Sequence, residues 1–576
     1  MQEFVERIRR VVAQHSGLAP AEIKIESPRE STHGDLAFPC FQLAKTQRQP
    51  PPAAAVKLAQ AIAGELAGIA VVAAGPYVNF RIDRTALAQS VLGSISRRGA
   101  RYGGSEEGAG QTIVLDYSSP NIGKPMHVGH IRSTIIGAAL HRIFGFLGYR
   151  AVGINHLGDF GSQFGGLIVA RELRRDVDLE RDPVHGLLTL YQWSKEQIAT
   201  DQEFAKNAAI SNAVVSGVLL PAAAPLARRH DLETQAWIRT VSLDGFMRTY
   251  RRLGIEHDLI RGESYYEPFL KGTIERIEAA GVTEVSDGAL VVQLGSLDKG
   301  LEKTPCLLRQ SNGMTLYATR DLAALFHRWE EFHFARCLYV VGSEQKLHFR
   351  QLKAVLRRMG CDWEPKVEHV DFGLLLGPGR VKLASRKGEV LVLDDLLDEV
   401  VAEARTIIEE KNPALANKER IAEQVGIGAL VFNDLKRERI KDVVFDKAEI
   451  LAFEGETGPY VQYTHARLAS ILRKADEAGG EGAAPDWARL EDAAPILLAL
   501  GRFPGVVASA AANSEPSELA QYLLALCRTL STWLVEHRVL AEEPELRAAR
   551  LLLVRGAEAV LANGLTLLGV AAPAEM

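Results

Sequence analysis

The sequence predicts an α/β multidomain chain: a doubly wound parallel-sheet core with a helical insertion, a small α+β module before it and an all-helical bundle after it. Three observations predict this. TIVLDYSS (112–119) is a short β-branched strand, an amphipathic helix follows over about 128–147, and RAVGINHLGD is a second strand. That β-loop-α-β order is one half of a doubly wound sheet. From about 395 onward nearly every segment is alanine- and leucine-rich at helical spacing, as in LAQYLLALCRTLSTWLVEHRVL, which reads as a bundle. The chain of 576 residues also exceeds what one core fills, since domains run to about 100–200 residues.

In chain order, residues 1–95 form the first module, with helical patterns at 2–15 and 53–67 flanking strands in THGDLAFPCFQLAK and AGPYVNFRID. The Gly- and charge-rich stretch RRGARYGGSEEGAGQ makes 96–111 a linker. The core is expected over 112–394, interrupted by a helical insertion at about 166–250. Strand-like segments return in EHDLIRGES, ALVVQLG and CLYVVGS, and VEHVDFGLLL adds one near 367–376. The bundle occupies 395–576, and AGGEGAAPD is a loop within it.

A hydrophobic share of 47% with 24% charged residues suits a globular protein and argues against wholesale disorder. The net charge of −5 does not exclude a nucleic-acid partner, which needs a basic face rather than a basic average. Five scattered cysteines lack metal-ligand spacing and fit a reducing cytosol. MQEFVERIRRVVAQHSG is a charged amphipathic helix rather than a signal peptide, and no uncharged apolar run is long enough for a bilayer. These features predict a cytoplasmic protein with no membrane partner.

SSPNIGKPMHVGHIRSTIIG (118–137) holds the chemistry. A strand, a loop and then a helix N-terminus is a phosphate-holding arrangement, because free N–H groups and the positive helix end face the ligand. Gly123 and Gly129 permit close approach, His127 and His130 share one face, and Lys124 adds a cation. Three readings of the pair are open at this point: capping or core residues, donors to phosphate oxygens, or metal ligands. The last needs a third ligand, and none nearby is obvious.

The longer string DYSSPNIGKPMHVGHIRSTIIG resembles the signature of the arginyl-tRNA synthetase family, and HVGH resembles the HIGH motif of class I aminoacyl-tRNA synthetases. Further likenesses follow in order: INHLGDFGSQFG, LYATRDLAAL, VVGSEQKLHF, RVKLASRKGEVLVLDDLLDEV in the place of a KMSKS loop, RIKDVVFD with FEGETGPYVQYTHARLASIL, and the terminal LLGVAAPAEM. The resemblance runs from the first module to Met576 and is weakest in the insertion. It implies a class I Rossmann-type catalytic core, an N-terminal module that contacts tRNA and a C-terminal anticodon-binding bundle.

The implied reaction has two steps. The arginine carboxylate attacks the α-phosphate of ATP, bound with Mg²⁺ as a substrate complex, and pyrophosphate leaves; the tRNA 3′ end then takes the arginyl group. No tightly bound metal is expected. On the resemblance, His127 and His130 are catalytic and bind ATP with Gly129, Lys124, Lys382 and Ser385. The fourth KMSKS position is Ser385, so the usual second lysine is absent; Lys124 is expected to supply the pyrophosphate charge, with Lys382 and Arg386 assisting. The Gly377 to Gly379 segment would be the hinge of that loop.

Arginine is expected to meet Tyr317 and Asp321 through its guanidinium. Its α-amino and carboxylate end would meet Asp116, Ser119, Asn121 and Gln345. His156 and Asp159 line the same cleft, and Glu263 is a lesser candidate. A planar guanidinium pairs bidentately with a carboxylate, which an ammonium cannot do. For tRNA the candidates are Asn79 and Phe80 in the first module, and Lys436, Arg439, Tyr460, Tyr463 and Arg467 in the bundle, where rings and cations interleave as stacking on single-stranded RNA requires. The family also implies a monomer, and activation that needs bound tRNA. The competing readings are a class I synthetase for another amino acid, a non-catalytic RNA-binding paralogue and a tRNA-independent nucleotidyltransferase.

Overall fold

In the computed structural model the chain is described at residues 1–28, 30–161, 163–216, 219, 225, 228, 230–380, 391–479 and 483–576. Helix α1 (Gln2–Ser16) buries Phe4, Ile8, Val11 and Val12, one stripe at helical spacing, and ends on Gly17 in the left-handed region. β1 (Leu36–Pro39), α2 (Phe41–Gln47), α3 (Pro51–Ile62), β2 (Ile69–Ala74) and β3 (Tyr77–Ile82) follow. The three strands form an antiparallel sheet with β3 central, and Val78, Phe80 and Ile82 project into the core. Asp83 caps α4 (Arg84–Arg98) through the Ala86 N–H.

The stretch expected to be a linker is tied down instead. Tyr102 is buried, donates its hydroxyl to Leu500 O and stacks on Phe503. Asn563 donates to Gly99 O and Tyr102 O. A Cβ at Gly104 would lie 2.7 Å from Phe146 O, so this glycine serves close packing rather than looseness.

The core begins with β4 (Thr112–Asp116), α5 (Ile131–Phe146) and β5 (Arg150–Asn155). The insertion comprises α6 (Gln163–Leu173), α7 (Pro183–Thr200), α8 (Gln202–Val215) and α9 (Asp231–Arg252). Then come β6 (Leu259–Ile260), α10 (Leu270–Ala279), β7 (Thr283–Ser286), β8 (Ala289–Val292) and β9 (Cys306–Arg309). α11 (Tyr317–Phe332), β10 (Arg336–Tyr339), α12 (Lys346–Arg358), β11 (Val367–His369) and β12 (Leu375–Leu376) complete this part. The main sheet is parallel throughout, in the order β11-β10-β4-β5-β6. Gly137 on α5 allows the helix to lie on β4, because a Cβ there would sit 2.2 Å from Tyr117 Cβ.

Two strand expectations land elsewhere. ALVVQLG belongs not to the main sheet but to a separate antiparallel β7-β8-β9 meander. Its hairpin turns on Asp287 and Gly288, both at positive φ (48° and 77°), the pairing that an Asp-Gly two-residue turn favours. VEHVDFGLLL splits into β11 and β12, and β12 pairs with β13 (Val443–Val444) beyond the start of the bundle. A Cβ at Gly373 would meet the Lys441 carbonyl carbon at 2.7 Å, so the chain crosses there at close range.

The bundle comprises α13 (Leu393–Lys411), α14 (Lys418–Leu435), the short α15 (Lys447–Ile450), α16 (Gly458–Glu477), α17 (Ala494–Ala512), α18 (Ser517–Glu536) and α19 (Pro544–Leu568). α19 packs on α5 of the core and on α4 of the first module. Among the described residues, two helical stretches, Trp487–Ala512 and Pro544–Leu568, are long and apolar enough to cross a membrane by length and composition, although neither is an uncharged run. Their leucines and valines, such as Leu497, Leu500, Val554 and Val560, are instead buried in the bundle core.

Candidate active site

The strand order reverses between β4 and β10: the chain leaves β4 toward β5 on one side and returns to β10 on the other. The crevice beyond the carboxyl ends of these strands is where such sheets take ligands. Immediately after β4, Ser118 (φ 73°) and Ser119 (φ 49°) are consecutive non-glycine residues in the left-handed region, a strained path that neighbours must enforce. Ser133 Oγ accepts from the Ser118 N–H, and the Ser118 hydroxyl lies 2.7 Å from Tyr250 OH and 2.8 Å from Thr134 Oγ1. Asn155 Nδ2 in turn donates to Tyr250 OH.

His127 caps a single helical turn, Val128–His130, that runs into α5. The caps are reciprocal: the Gly129 N–H donates to His127 Nδ1, and the His127 N–H donates to His130 Nδ1, both at 3.1 Å. The rings lie 3.9 Å apart, centroid to centroid. The His127 Nδ1 accepts, so its proton sits on Nε2, which remains available as a donor. The His130 Nδ1 lies between the His127 N–H and, at 3.2 Å, the His127 carbonyl oxygen; with the N–H as its donor, the His130 proton also sits on Nε2. Burial, reinforced by the Lys124 charge, lowers His127 to about 4; burial, reinforced by His127, lowers His130 to about 3. Both are neutral donors at pH 7. A Cβ at Gly129 would lie 2.8 Å from the His127 ring, so the motif needs glycine between its histidines. Lys124 extends its ammonium over the Tyr191 ring at 5.0 Å. Among the described residues, no group of three His, Cys, Asp or Glu could hold a metal ion.

Asp116, at the end of β4, is buried. Its Oδ1 accepts from Ser119 Oγ at 2.9 Å, and its Oδ2 accepts from Arg328 at 2.8 Å. Asn121 backs onto Gly158, where any Cβ would strike its amide at 1.9 Å. His156 stacks on Tyr266 and lies 3.2 Å from Arg328. Asp159 accepts from the Ser264 N–H and Oγ. Asp321 holds His348 Nε2 at 2.6 Å. Tyr317, one turn before Asp321, is 68% exposed, and Gln345 is also exposed. Burial raises Glu263 to about 7, with Arg320 opposing and Asp321, Asp159 and Glu267 adding to the rise.

Lys382, Ser385 and Arg386 lie outside the described residues. On the near side, Gly379 and Arg380 have positive φ (74° and 61°). On the far side, Val392 pairs with His127: Val128 N–H donates to Leu391 O, and Leu393 N–H to Met126 O.

The RNA candidates divide. Phe80 is fully buried and Asn79 nearly so, because β3 is the central strand; in that module the exposed Phe41 ring packs edge-on against the half-buried Tyr77. Lys436 is buried and donates to Glu456 O. Arg439 binds Asp371 O and Ser514 O and pairs with Asp371. Both therefore face inward: Lys436 within the bundle, and Arg439 at the joint between bundle and core. On α16, Tyr463 and Arg467 are exposed one turn apart and line a groove of about 690 Å³ with Arg473 and Lys474. Tyr460 is partly buried, with its hydroxyl 3.1 Å from Ser531 Oγ. Sequence reasoning missed Arg328, His348, Tyr250 and Tyr266. For Arg328 there was a signal: it stands two turns after Asp321, an arginine within the apolar face of α11.

The family model "tRNA synthetases class I (R), catalytic domain" matches residues 92–447, "DALR anticodon binding domain" matches 461–576, and "Arginyl tRNA synthetase N terminal domain" matches 2–82. An arginine–tRNA ligase of Exiguobacterium is 40% identical over 100% of this chain and 99% of its own length. One of Clostridium botulinum is 42% identical over 96% of each. The arginyl-tRNA synthetase structure of Thermus thermophilus superposes with a TM-score of 0.81 at 27% identity, covering 99% of both chains.

Proposed function

The chain belongs to the class I arginyl-tRNA synthetase family and is an arginine–tRNA ligase, and on that premise we propose how its residues divide the reaction. The observation that carries the assignment is the pair of neutral imidazoles, each with Nδ1 spent on a backbone N–H, at the switch point of the sheet. Their Nε2–H groups stabilise the α-phosphate of ATP as the arginine carboxylate attacks and pyrophosphate leaves in line. The α5 N-terminus adds its positive end. Such catalysis is mostly positioning and charge stabilisation, with Mg²⁺ arriving as part of the ATP complex. Lys124 leaves the Tyr191 ring to meet the pyrophosphate. In the second step the tRNA 3′ hydroxyl takes the arginyl group. The bundle meets the anticodon side through Tyr463 and Arg467, and the reaction runs in the cytoplasm, with the enzyme acting as a monomer.

Arginine enters with its α-ammonium at Asp116, beside Ser119 and Asn121, and its guanidinium among Asp159, Glu263 and Asp321. Gln345 and Tyr317, exposed in the open cleft, close over it. ATP–pyrophosphate exchange with each of the twenty amino acids, with and without tRNA, tests this reading. Exchange with arginine alone, and only when tRNA is present, is the expected outcome; exchange with another amino acid refutes the pocket assignment.

Glu263 makes a pH prediction. Below about 7 it is protonated and offers no charge to the guanidinium; above, it is a carboxylate. The arginine KM is therefore expected to fall as pH rises through about 7, and arginine binding near neutrality should release protons, seen as a buffer-dependent binding enthalpy. Glu263→Gln should raise the KM and flatten its pH dependence. An unchanged profile in that variant excludes Glu263 from the pocket.

A further inference from the structure

Arg328 lies on α11, is 0% exposed, and touches neither the phosphate loop nor the RNA surfaces. One nitrogen of its guanidinium, Nη2, serves two partners: Asp116 Oδ2 at 2.8 Å and His156 Nδ1 at 3.2 Å. Tyr339 and Tyr266 flank it, with the guanidinium carbon 5.1 Å and 5.9 Å from their ring centroids. Among the described residues its Nε and Nη1 find no oxygen or nitrogen acceptor, and the buried Cys337 thiol borders the guanidinium. A buried cation with two donors lacking such an acceptor is a poor device for stability, because desolvation is only partly repaid. What it does achieve is geometric. A guanidinium only donates, so the His156 atom facing it must be a lone pair, and the His156 proton must sit on Nε2. Asp116, fixed by Arg328 on one oxygen and by Ser119 Oγ on the other, is held in a single orientation.

We propose that Arg328 is a positioning residue for arginine activation: its Nη2 orients the Asp116 carboxylate for the substrate α-ammonium and sets His156 as the Nε2–H tautomer, a donor to the substrate carboxylate. This rests on the reading of the crevice as the arginine pocket. Binding of the α-amino acid end is thereby prepaid by a side chain that never meets the substrate.

The test has two arms. In the full-length protein labelled with ¹⁵N-histidine, with His156 assigned by loss of its signal in His156→Gln, the imidazole spectrum reads the tautomer directly. A bare Nδ1 and a protonated Nε2 are expected, and a protonated Nδ1 overturns the proposal whether or not the Arg328 variants fold. This arm needs no substrate, so it fails or succeeds independently of the pocket assignment, which wild-type exchange with arginine tests. In the second arm, Arg328→Met is expected to lower kcat/KM for arginine by about 10–100-fold and leave the ATP KM in place, since Asp116 loses the donor that orients its carboxylate. Arg328→Lys, which keeps a donor and the charge, should recover part of the rate. Equal losses toward arginine and ATP in Arg328→Met defeat the idea and leave Arg328 a packing residue.

Discussion

Replacing His130 by alanine is expected to lower tRNA-supported, arginine-dependent ATP–pyrophosphate exchange by about 10²–10³-fold, with the loss in kcat rather than in the arginine KM. The reason is local. His130 sits where a one-turn helix becomes α5, its Nδ1 occupied by the His127 N–H. Its Nε2–H is therefore fixed in direction before any ligand arrives, and a fixed donor costs no reorganisation when charge develops on phosphate. With His130 lowered to about 3 and His127 to about 4, neither gains or loses a proton between pH 6 and 8. The wild-type kcat should accordingly show no limb from these two groups across that range. His130→Asn, whose amide still donates, should lie between alanine and wild type. Loss confined to the ATP KM in His130→Ala, or a kcat limb near pH 6.5 that vanishes in the variant, would sink the neutral-donor account.

The elements that the sequence made legible are those fixed by contacts close along the chain. The β-branched strand, the glycine-bearing loop and the amphipathic helix at 112–147 are a local pattern, so the sheet half and the placement of His127 and His130 could be read directly. The Asp287-Gly288 turn is equally local and ALVVQLG reads as a strand, but a strand's periodicity says nothing about which sheet it joins, and this one joins the separate meander. Tyr77, Asn79 and Phe80 alternate as a strand should, but alternation does not reveal which face is covered; as the central strand, β3 buries both Asn79 and Phe80. KRERIK looks like a basic surface run. Lys436 and Arg439 instead reach carbonyls and carboxylates brought from Asp371, Glu456 and Ser514. Arg328 was unreadable as a partner of Asp116 for the same reason: 212 residues separate them, and only the sheet order β10-β4-β5 brings α11 beneath the end of β4.

The same long-range logic governs the joint between core and bundle. Arg132 lies two residues after His130 on α5 and is 1% exposed; its Nε is 2.9 Å from Asp434 Oδ2 near the end of α14. Its other nitrogens donate to Lys441 O and Arg439 O, and its guanidinium stands over the Phe372 ring. One side chain thus ties the helix that continues from the histidine turn to the α14 end of the bundle and the residues that follow it. Arg132→Met leaves a buried carboxylate without its closest cation, takes the Arg132 donor from the Lys441 carbonyl, and leaves Arg439 O with the Gly373 N–H. It is expected to cost about 3–5 kcal/mol in the unfolding transition that includes α5 and α14, read as a lowered denaturant midpoint. Asp434→Leu should cost a comparable amount, since it leaves the Arg132 guanidinium buried without its carboxylate. Burial pushes Asp434 upward, and Arg132 is the main charge opposing that rise, with Arg437 a lesser one. The double variant decides what the pair is for. If Arg132→Met combined with Asp434→Leu regains most of the lost stability, the ion pair is a matched but replaceable contact, and exchange activity should return with it. If stability returns while exchange stays low, the carbonyl bonds to Arg439 and Lys441 are what hold α5 in register with the phosphate loop. A double variant whose loss equals the sum of the two single losses would show that the two residues do not act as a pair, and the joint would have to be sought in Arg439 and its bonds to Asp371 and Ser514.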